Sequence, residues 1–189
     1  MCCSLLLTDK KGKIMKICIS GFTASGKTTI AQAVSEGMGI SHIHRSYKEF
    51  VKTEGDIAAF VSNADPKFTK AFDREIIKSV KAKRDCVVST WLSPWLVKDA
   101  TLKIWLAATL EERSKRWARD YGIPIKKAKK TVAAKDSSTV EMAKRTYGID
   151  LRDISAFDII INTERTSKEE AAKLIIYFAR LRLNKGKGA

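Results

Sequence analysis

Apolar residues along the chain follow two alternating patterns. Five short apolar runs have the length and composition of buried strands: residues 14–20, 40–44, 85–90, 102–108 and 157–163. Between these runs, apolar residues recur every three or four positions, as at Ile30, Val34 and Met38, which predicts amphipathic helices. Strands that alternate with helices predict an α/β fold, with a parallel sheet covered by helices on both faces.

Local signals predict where several helices begin and end. The first helix is expected to stop at the glycines of residues 37–39, and residues 45–83 carry helical spacing that is broken near Pro66. Three later segments begin with the Ser/Thr-x-x-Glu pattern, which satisfies unpaired N–H groups at a helix start. They begin at Thr109, Ser138 and Thr166. The last helix is predicted to run to about residue 183.

A phosphate-binding motif lies between the first strand and the first helix. Gly21, Gly26, Lys27 and Thr28 match the pattern G-x-x-x-x-G-K-[ST]. The glycines let successive N–H groups point inward at phosphate oxygens, and the helix that follows adds its positive dipole end. Lys27 is expected to reach the β and γ phosphates, and the Thr28 hydroxyl to coordinate Mg²⁺. The motif predicts a bound nucleotide donor, ATP with Mg²⁺.

Several nucleotide-binding signals are absent from the sequence. No apolar strand ends in a Walker-B aspartate, no D-x-x-G follows the phosphate loop, and no N-K-x-D occurs. These absences argue against a GTPase or a motor-type ATPase and favour a small phosphotransferase.

A basic segment, residues 113–145, follows the fourth predicted strand. Arg113, Arg116 and Arg119 are three apart and therefore lie along one side of a helix, with Arg145 near the end of the segment. Cations that close over a transferring phosphoryl group stabilise its charge, so one hypothesis is a mobile, arginine-bearing lid. The alternative is a solvated basic helix.

Composition narrows the class of protein. The 189 residues are sufficient for one buried domain, and 44% hydrophobic and 30% charged residues are ordinary for a globular protein. The net charge of +15 makes nucleotides, RNA and acidic membranes candidate partners, and solubility alone is an equally good explanation of such a charge. Four cysteines without metal-ligand spacing, and no segment typical of a signal peptide or membrane span, predict a reduced, cytoplasmic protein. Residues 1–14 are predicted to be a loose extension and residues 184–189 a basic tail.

Three stretches carry a resemblance to a known family. "MKICISGFTASGKTTIAQAVSEGMGI", "LKIWLAATLEERSKRWARDYGI" and "YGIDLRDISAFDIIINT" resemble the P-loop nucleoside monophosphate kinases, and most closely the archaeal-type cytidylate kinases. The resemblance implies a P-loop three-layer fold for residues 15–183, with a five-stranded parallel sheet. It also implies a helical acceptor-binding insertion at residues 45–83, a lid at residues 113–147, and phosphoryl transfer from ATP with Mg²⁺ to CMP or dCMP.

The resemblance also assigns roles to residues. The lid cations would be Arg113, Arg116 and Arg119, with Arg145 as a substitute for an arginine expected at Met142. The implied ATP loop consists of Gly21, Phe22, Thr23, Ala24, Ser25, Gly26, Lys27, Thr28 and Thr29. The implied acceptor-side residues are Lys48, Asp73 and Arg74. Arg45 and Trp91 are further acceptor-side candidates, and Trp91 either stacks on the acceptor base or packs a helix into the core.

One departure from the family leaves the acceptor open. Where the family typically reads Glu-Gly-Arg after the third strand, this chain reads Ser89-Thr90-Trp91, and a hydroxyl is a poor substitute for the bidentate guanidinium at a phosphate site. The first hypothesis is a kinase acting on CMP or dCMP. The alternatives are a nucleotide-regulated module that binds RNA or a ribonucleoprotein, and a kinase for another small acceptor. His42 and His44 alternate across a short strand, where a role as ligand or base competes with a purely structural one.

Overall fold

The computed structural model describes residues 14–53 and 56–184. Most of the predicted N-terminal extension and of the basic tail therefore lies outside the described residues. Within them the sheet has five strands, all parallel, in the order β2-β3-β1-β4-β5. The strands are β1 (Met15–Gly21), β2 (Ser41–Ile43), β3 (Asp85–Ser89), β4 (Leu102–Ala107) and β5 (Ile159–Asn162). Every strand lies inside a predicted apolar run or extends one residue beyond it, and all neighbouring strands pair in parallel. The predicted parallel α/β sheet is therefore confirmed.

The described part of the chain contains seven α-helices, of which six lie between strands and the last follows β5. They are α1 (Lys27–Met38), α2 (Ile57–Asn63), α3 (Pro66–Lys81), α4 (Ser93–Leu96), α5 (Leu110–Tyr121), α6 (Ile125–Tyr147) and α7 (Lys168–Asn184). The break near Pro66 is confirmed: Asp65 caps α3 by accepting a hydrogen bond from the Lys67 N–H at 2.6 Å, and proline occupies the first helical position.

Side chains alternate between the two faces of the sheet. Ile17 and Ile19 of β1 pack with α1 and α7 on one face, where Val34 and Ile175 are fully buried. Cys18, between them, faces the other side, where the core is built from α2, α3, α6 and the strand β3. The central strands β1, β3 and β4 are largely buried on both faces, which is why they read as continuous apolar runs in the sequence, whereas β2 is half-buried and Ile160 of β5 is exposed.

Two predicted helix starts differ from the structure. Ser138 lies inside α6, and its hydroxyl donates to the Ala134 carbonyl at 2.8 Å, one turn back. The prediction of a helix start there was wrong because a serine can also satisfy its hydroxyl within a helix that is held by packing. The capping residue of α7 is Ser167 rather than Thr166: Ser167 Oγ accepts from the Glu170 N–H at 3.2 Å, and Glu170 accepts from the Ser167 N–H at 2.8 Å.

Candidate active site

The loop between β1 and α1 has the backbone of a phosphate-binding loop. A Cβ at Gly21 would lie 2.6 Å from the Leu106 carbonyl oxygen and 2.6 Å from Ser25 Oγ, so this position has no space for a side chain. Ala24 and Gly26 adopt positive φ, 60° and 92°. Because α1 begins at Lys27, its unpaired N–H groups and positive dipole end face the loop. The loop therefore forms a concave site for an anion.

Lys27 lies at the centre of this site. Its ammonium donates a hydrogen bond to the Phe22 carbonyl at 2.9 Å. Desolvation lowers the pKa of Lys27 to about 7, with the Asp136 carboxylate opposing this shift. A partly buried ammonium with one carbonyl partner is suited to a second, anionic ligand.

Two cavities meet at the phosphate loop. Both are lined by Ala24, Lys27, Thr28 and Thr29. The first, of about 430 Å³, extends toward residues 44–48, α3 and the end of β3. The second, of about 440 Å³, extends between α5 and residues 163–168. The loop thus lies where two ligands can approach each other.

Most of the predicted acceptor-side residues line the first cavity. Arg45, Lys48, Asp73 and Trp91 all lie in its wall. The Arg45 guanidinium carbon lies 4.9 Å from the centroid of the Phe72 ring. The guanidinium group also forms an ion pair with the Glu49 carboxylate. Arg74 is exposed on α3 and is not among the residues that line this cavity.

Asp73 is a buried carboxylate in this wall. It is 7% exposed, and Tyr147 donates its hydroxyl proton to Asp73 Oδ2 at 2.8 Å. Burial raises the pKa of Asp73 to about 6, and the tyrosine hydrogen bond opposes the shift. Asp73 remains mostly ionised at neutral pH and presents acceptor lone pairs to the cavity.

Arg113 supports the phosphate loop from below. It is 6% exposed, and its guanidinium donates to the Thr23 carbonyl at 2.9 Å and to Asp136 at 2.6 Å. Asp136, on α6, also accepts a hydrogen bond from the Thr23 N–H at 2.9 Å. Both polar groups of the Thr23 backbone are therefore held, and Arg113 is fixed against the loop in this structure.

Arg116 and Arg119 lie in the wall of the second cavity. Arg116 donates to the Thr163 carbonyl at 2.7 Å and to its hydroxyl at 3.1 Å, while Thr163 Oγ1 donates to the Ser25 carbonyl at 3.2 Å. Arg119 is exposed and pairs with the adjacent Asp120 at 3.2 Å. Of the three arginines on this side of α5, Arg119 is the one whose side chain is most exposed to solvent.

The structure places Arg145 away from both cavities. Its guanidinium donates to the carbonyls of Val61 and Ala64 at 3.4 and 3.2 Å, where it holds the end of α2 against α6. Met142, one turn earlier, is buried beneath the first cavity.

Sequence reasoning missed several residues of the site. Asp136 and Lys135 of α6 reach the phosphate loop and the first cavity only through the α5–α6 hairpin. The Lys135 ammonium lies 4.2 Å from the centroid of the Trp117 ring. Desolvation, followed by the charge of Lys48, lowers the pKa of Lys135 to about 7. The alternation of basic and small residues in this segment gave no signal that separated these two from their neighbours.

Thr28 is the predicted Mg²⁺ ligand, and the residues around it fit a magnesium–nucleotide complex. It is exposed to both cavities at the start of α1. No group of three or more His, Cys, Asp or Glu side chains that could hold a metal ion occurs among the described residues. Magnesium commonly binds through one or two protein ligands together with phosphate oxygens and water, so one hydroxyl next to a phosphate site is sufficient.

No helix of the described residues has the length and hydropathy to cross a membrane.

The protein has the features of a P-loop kinase: a five-stranded parallel sheet, a glycine loop with its lysine, and two cavities that meet at this loop. Comparisons with known proteins support this class. Residues 48–165 match the model of the cytidylate kinase-like family. The cytidylate kinase of Pyrococcus horikoshii is 32% identical over 158 residues, which cover 81% of this chain and 82% of the relative. That of Sulfurisphaera tokodaii is 32% identical over 167 residues, 85% and 93% of the two chains.

Solved structures show the same fold. The M. mycoides deoxyadenosine kinase superposes with a TM-score of 0.54 at 15% identity, over 90% of this chain and 100% of that chain. The chain belongs to the cytidylate kinase-like family. It is an enzyme of the nucleoside monophosphate kinase class.

Proposed function

We propose that this enzyme transfers the γ-phosphoryl group of ATP, with Mg²⁺, to CMP or dCMP. The observation that carries the proposal is the position of the phosphate loop between two cavities, with Lys27 and Thr28 lining both. Donor and acceptor phosphates that enter from opposite sides would meet at Lys27. Phosphoryl transfer requires mainly positioning and charge stabilisation, because an acceptor phosphate is already an anion.

The donor is assigned to the second cavity. The loop residues Gly21 to Thr29 hold its phosphates through backbone N–H groups, and Lys27 contacts the β and γ phosphates. Arg116 and Arg119 face this cavity, with Arg119 free to move toward the transferring group because its side chain is largely exposed. When bound, Mg²⁺ neutralises charge on the phosphates, and the Thr28 hydroxyl is its ligand from this chain.

The acceptor is assigned to the first cavity. Arg45, Lys48 and Lys135 supply positive charge for its phosphate, and Trp91 supplies an apolar wall for its base. The Ser20 hydroxyl donates to the Trp91 carbonyl at 2.8 Å and thereby fixes this wall to β1. Asp73 favours cytosine, since an ionised carboxylate accepts from the exocyclic amino group of cytosine and repels the carbonyl that uracil has there.

The first test is a coupled ADP-release assay with ATP, Mg²⁺ and CMP, dCMP, UMP, AMP or GMP. CMP and dCMP are expected to be the preferred acceptors. The variant Lys27→Ala is expected to lose about 10²–10³-fold in kcat, because a cation at the transferring phosphate is removed. The exposed Lys126→Ala on α6 is the matched control for loss of one positive charge. Turnover of Lys27→Ala close to that of the control would refute the mechanism.

A second variant tests the acceptor assignment. Asp73→Asn replaces an acceptor oxygen by an amide that can also donate, so the preference for CMP over UMP is expected to fall by about tenfold. The ratio of kcat/KM for the two acceptors measures it. An unchanged ratio would show that Asp73 does not contact the base.

A further inference from the structure

Two histidines and one serine form a hydrogen-bonded chain at the end of β3. His42 Nε2 lies 2.8 Å from Ser89 Oγ, and His44 Nδ1 lies 2.9 Å from the Ser89 carbonyl oxygen and 3.2 Å from Ser89 Oγ. The chain continues from His42 Nδ1 to Gln32 Oε1 at 3.0 Å and from Gln32 Nε2 to Glu36 Oε1 at 2.7 Å. Five side chains are thus connected from α1 to the first cavity.

The direction of each hydrogen bond follows from the ends of this chain. The Glu36 carboxylate only accepts, so the Gln32 amide nitrogen faces it and the Gln32 oxygen faces His42. His42 therefore donates from Nδ1 and accepts the Ser89 hydroxyl proton at Nε2. Desolvation and then the neighbouring His44 lower the pKa of His42, which favours the neutral ring that this arrangement needs.

The same reasoning assigns the tautomer of His44. A backbone carbonyl has no proton to donate, so the contact with the Ser89 carbonyl requires a proton on His44 Nδ1. In the neutral ring the lone pair is then on Nε2. His44 is exposed and lines the first cavity together with Lys27, Thr28 and Ser89. The residue that carries this Nε2 lone pair therefore lines the cavity in which the acceptor is placed.

A nucleoside monophosphate acceptor needs no such base, because its attacking oxygen is already ionised. A hydroxyl acceptor does need one, since its proton must leave as the oxygen attacks phosphorus. We propose that His44 is the general base for a second activity, the phosphorylation of a hydroxyl group, with a pyrimidine nucleoside such as cytidine as the acceptor. The proposal rests on the ATP site of the proposed function and adds an acceptor class to it.

The 5′-hydroxyl oxygen of the nucleoside forms a bond to the γ-phosphorus of ATP while the bond from that phosphorus to the β,γ-bridging oxygen breaks, and ADP leaves. The hydroxyl proton moves to His44 Nε2, and the imidazolium that forms keeps its Nδ1–H bond to Ser89. The products are the nucleoside monophosphate and ADP, with the proton later released to solvent. Ser89 and His42 act as positioning residues, because they hold the ring of His44 in this tautomer.

The experiment follows transfer of γ-labelled phosphate from ATP to cytidine and, separately, to CMP. The wild-type enzyme is expected to phosphorylate both. The variant His44→Asn keeps an N–H near the Nδ1 position and removes the base, so cytidine phosphorylation is expected to fall about a hundredfold more than CMP phosphorylation. Ser89→Ala is expected to change in the same direction by a smaller factor. The exposed Lys78→Ala on α3 controls for an arbitrary substitution.

Nitrogen-15 NMR of the histidine rings gives a readout that does not depend on turnover. His44 is expected to show the Nδ1–H tautomer in the wild-type enzyme and to keep it in Ser89→Ala, because the backbone carbonyl of residue 89 that accepts the Nδ1–H bond is retained. CMP phosphorylation without any cytidine phosphorylation would overturn the second activity and leave the proposed function intact. Transfer to cytidine but not to CMP would support His44 and overturn the proposed acceptor. Equal losses for both acceptors in His44→Asn, or the Nε2–H tautomer, would overturn the role of His44 as base.

Discussion

At the scale of single residues, the site contains two lysines with lowered pKa values. Lys27 and Lys135 have pKa values lowered to about 7, mainly because burial removes the hydration of the ammonium group. A bound phosphate favours the charged form of each lysine and raises its pKa again. Above about pH 7, binding of an anion is therefore coupled to uptake of protons, and the affinity is expected to fall as the pH rises.

This coupling between anion binding and proton uptake can be tested at Lys135. Lys135 lines the proposed acceptor cavity but not the proposed donor cavity. Calorimetry of CMP binding near pH 8, where the CMP phosphate is already a dianion, in two buffers of different ionisation enthalpy measures the protons taken up. We expect uptake by the wild-type enzyme and a smaller value for Lys135→Arg, because arginine keeps its charge at this pH. The same uptake in both proteins would show that Lys135 does not titrate with the ligand.

At the scale of elements, the α5–α6 hairpin and the phosphate loop form one connected unit. Asp136 of α6 holds the Thr23 N–H, and Arg113 of α5 holds the Thr23 carbonyl, with the two side chains paired at 2.6 Å. Trp117 and Val132 pack in a small core between the same two helices. The base of the hairpin is therefore fixed, while Arg119 near its tip is exposed.

The stability of this connection can be measured. Asp136→Ala leaves the Arg113 guanidinium buried without its counter-ion, and the free energy of unfolding is expected to fall by about 3 kcal/mol. The matched control is Glu111→Ala, which removes the exposed partner of Lys129 between the same helices and is expected to cost about 0.5 kcal/mol. Urea denaturation compares the variants. Similar losses in both would contradict a supporting role for the buried pair.

Some elements could be predicted from the sequence and others could not. The parallel arrangement of the strands is predictable because the central strands are buried on both faces and read as continuous apolar runs, and the phosphate loop because its glycine and lysine spacing is local. The helix start predicted at Ser138 was wrong because a serine hydroxyl can either cap a helix or bond to a carbonyl one turn back inside it. The sequence pattern is the same in both cases, and tertiary packing determines which one occurs. Equal spacing of Arg113, Arg116 and Arg119 predicted a shared side of α5. Their different surroundings depend on Asp136 and Thr163, which are distant in sequence.

At the scale of the whole molecule, the net charge of +15 predicts binding of polyanions in addition to nucleotides. A single-stranded RNA of arbitrary sequence is expected to bind at about 50 mM salt and to weaken at least about tenfold at about 200 mM, because such contacts release counterions from the phosphates. Filter binding at the two salt concentrations measures it. Affinity that does not change with salt would indicate a specific RNA site instead, and absence of binding at low salt would remove RNA as a partner.

Hydrogen bonds from other parts of the protein hold the phosphate loop on several sides. Arg113 and Asp136 fix Thr23, Lys27 is bonded to Phe22, and Thr163 reaches Ser25. The conformational entropy of this loop is therefore lost when the chain folds, and little remains to be lost when a ligand arrives. A nucleotide that enters such a rigid cradle keeps most of its interaction energy as affinity, and its release is governed by the contacts it must break.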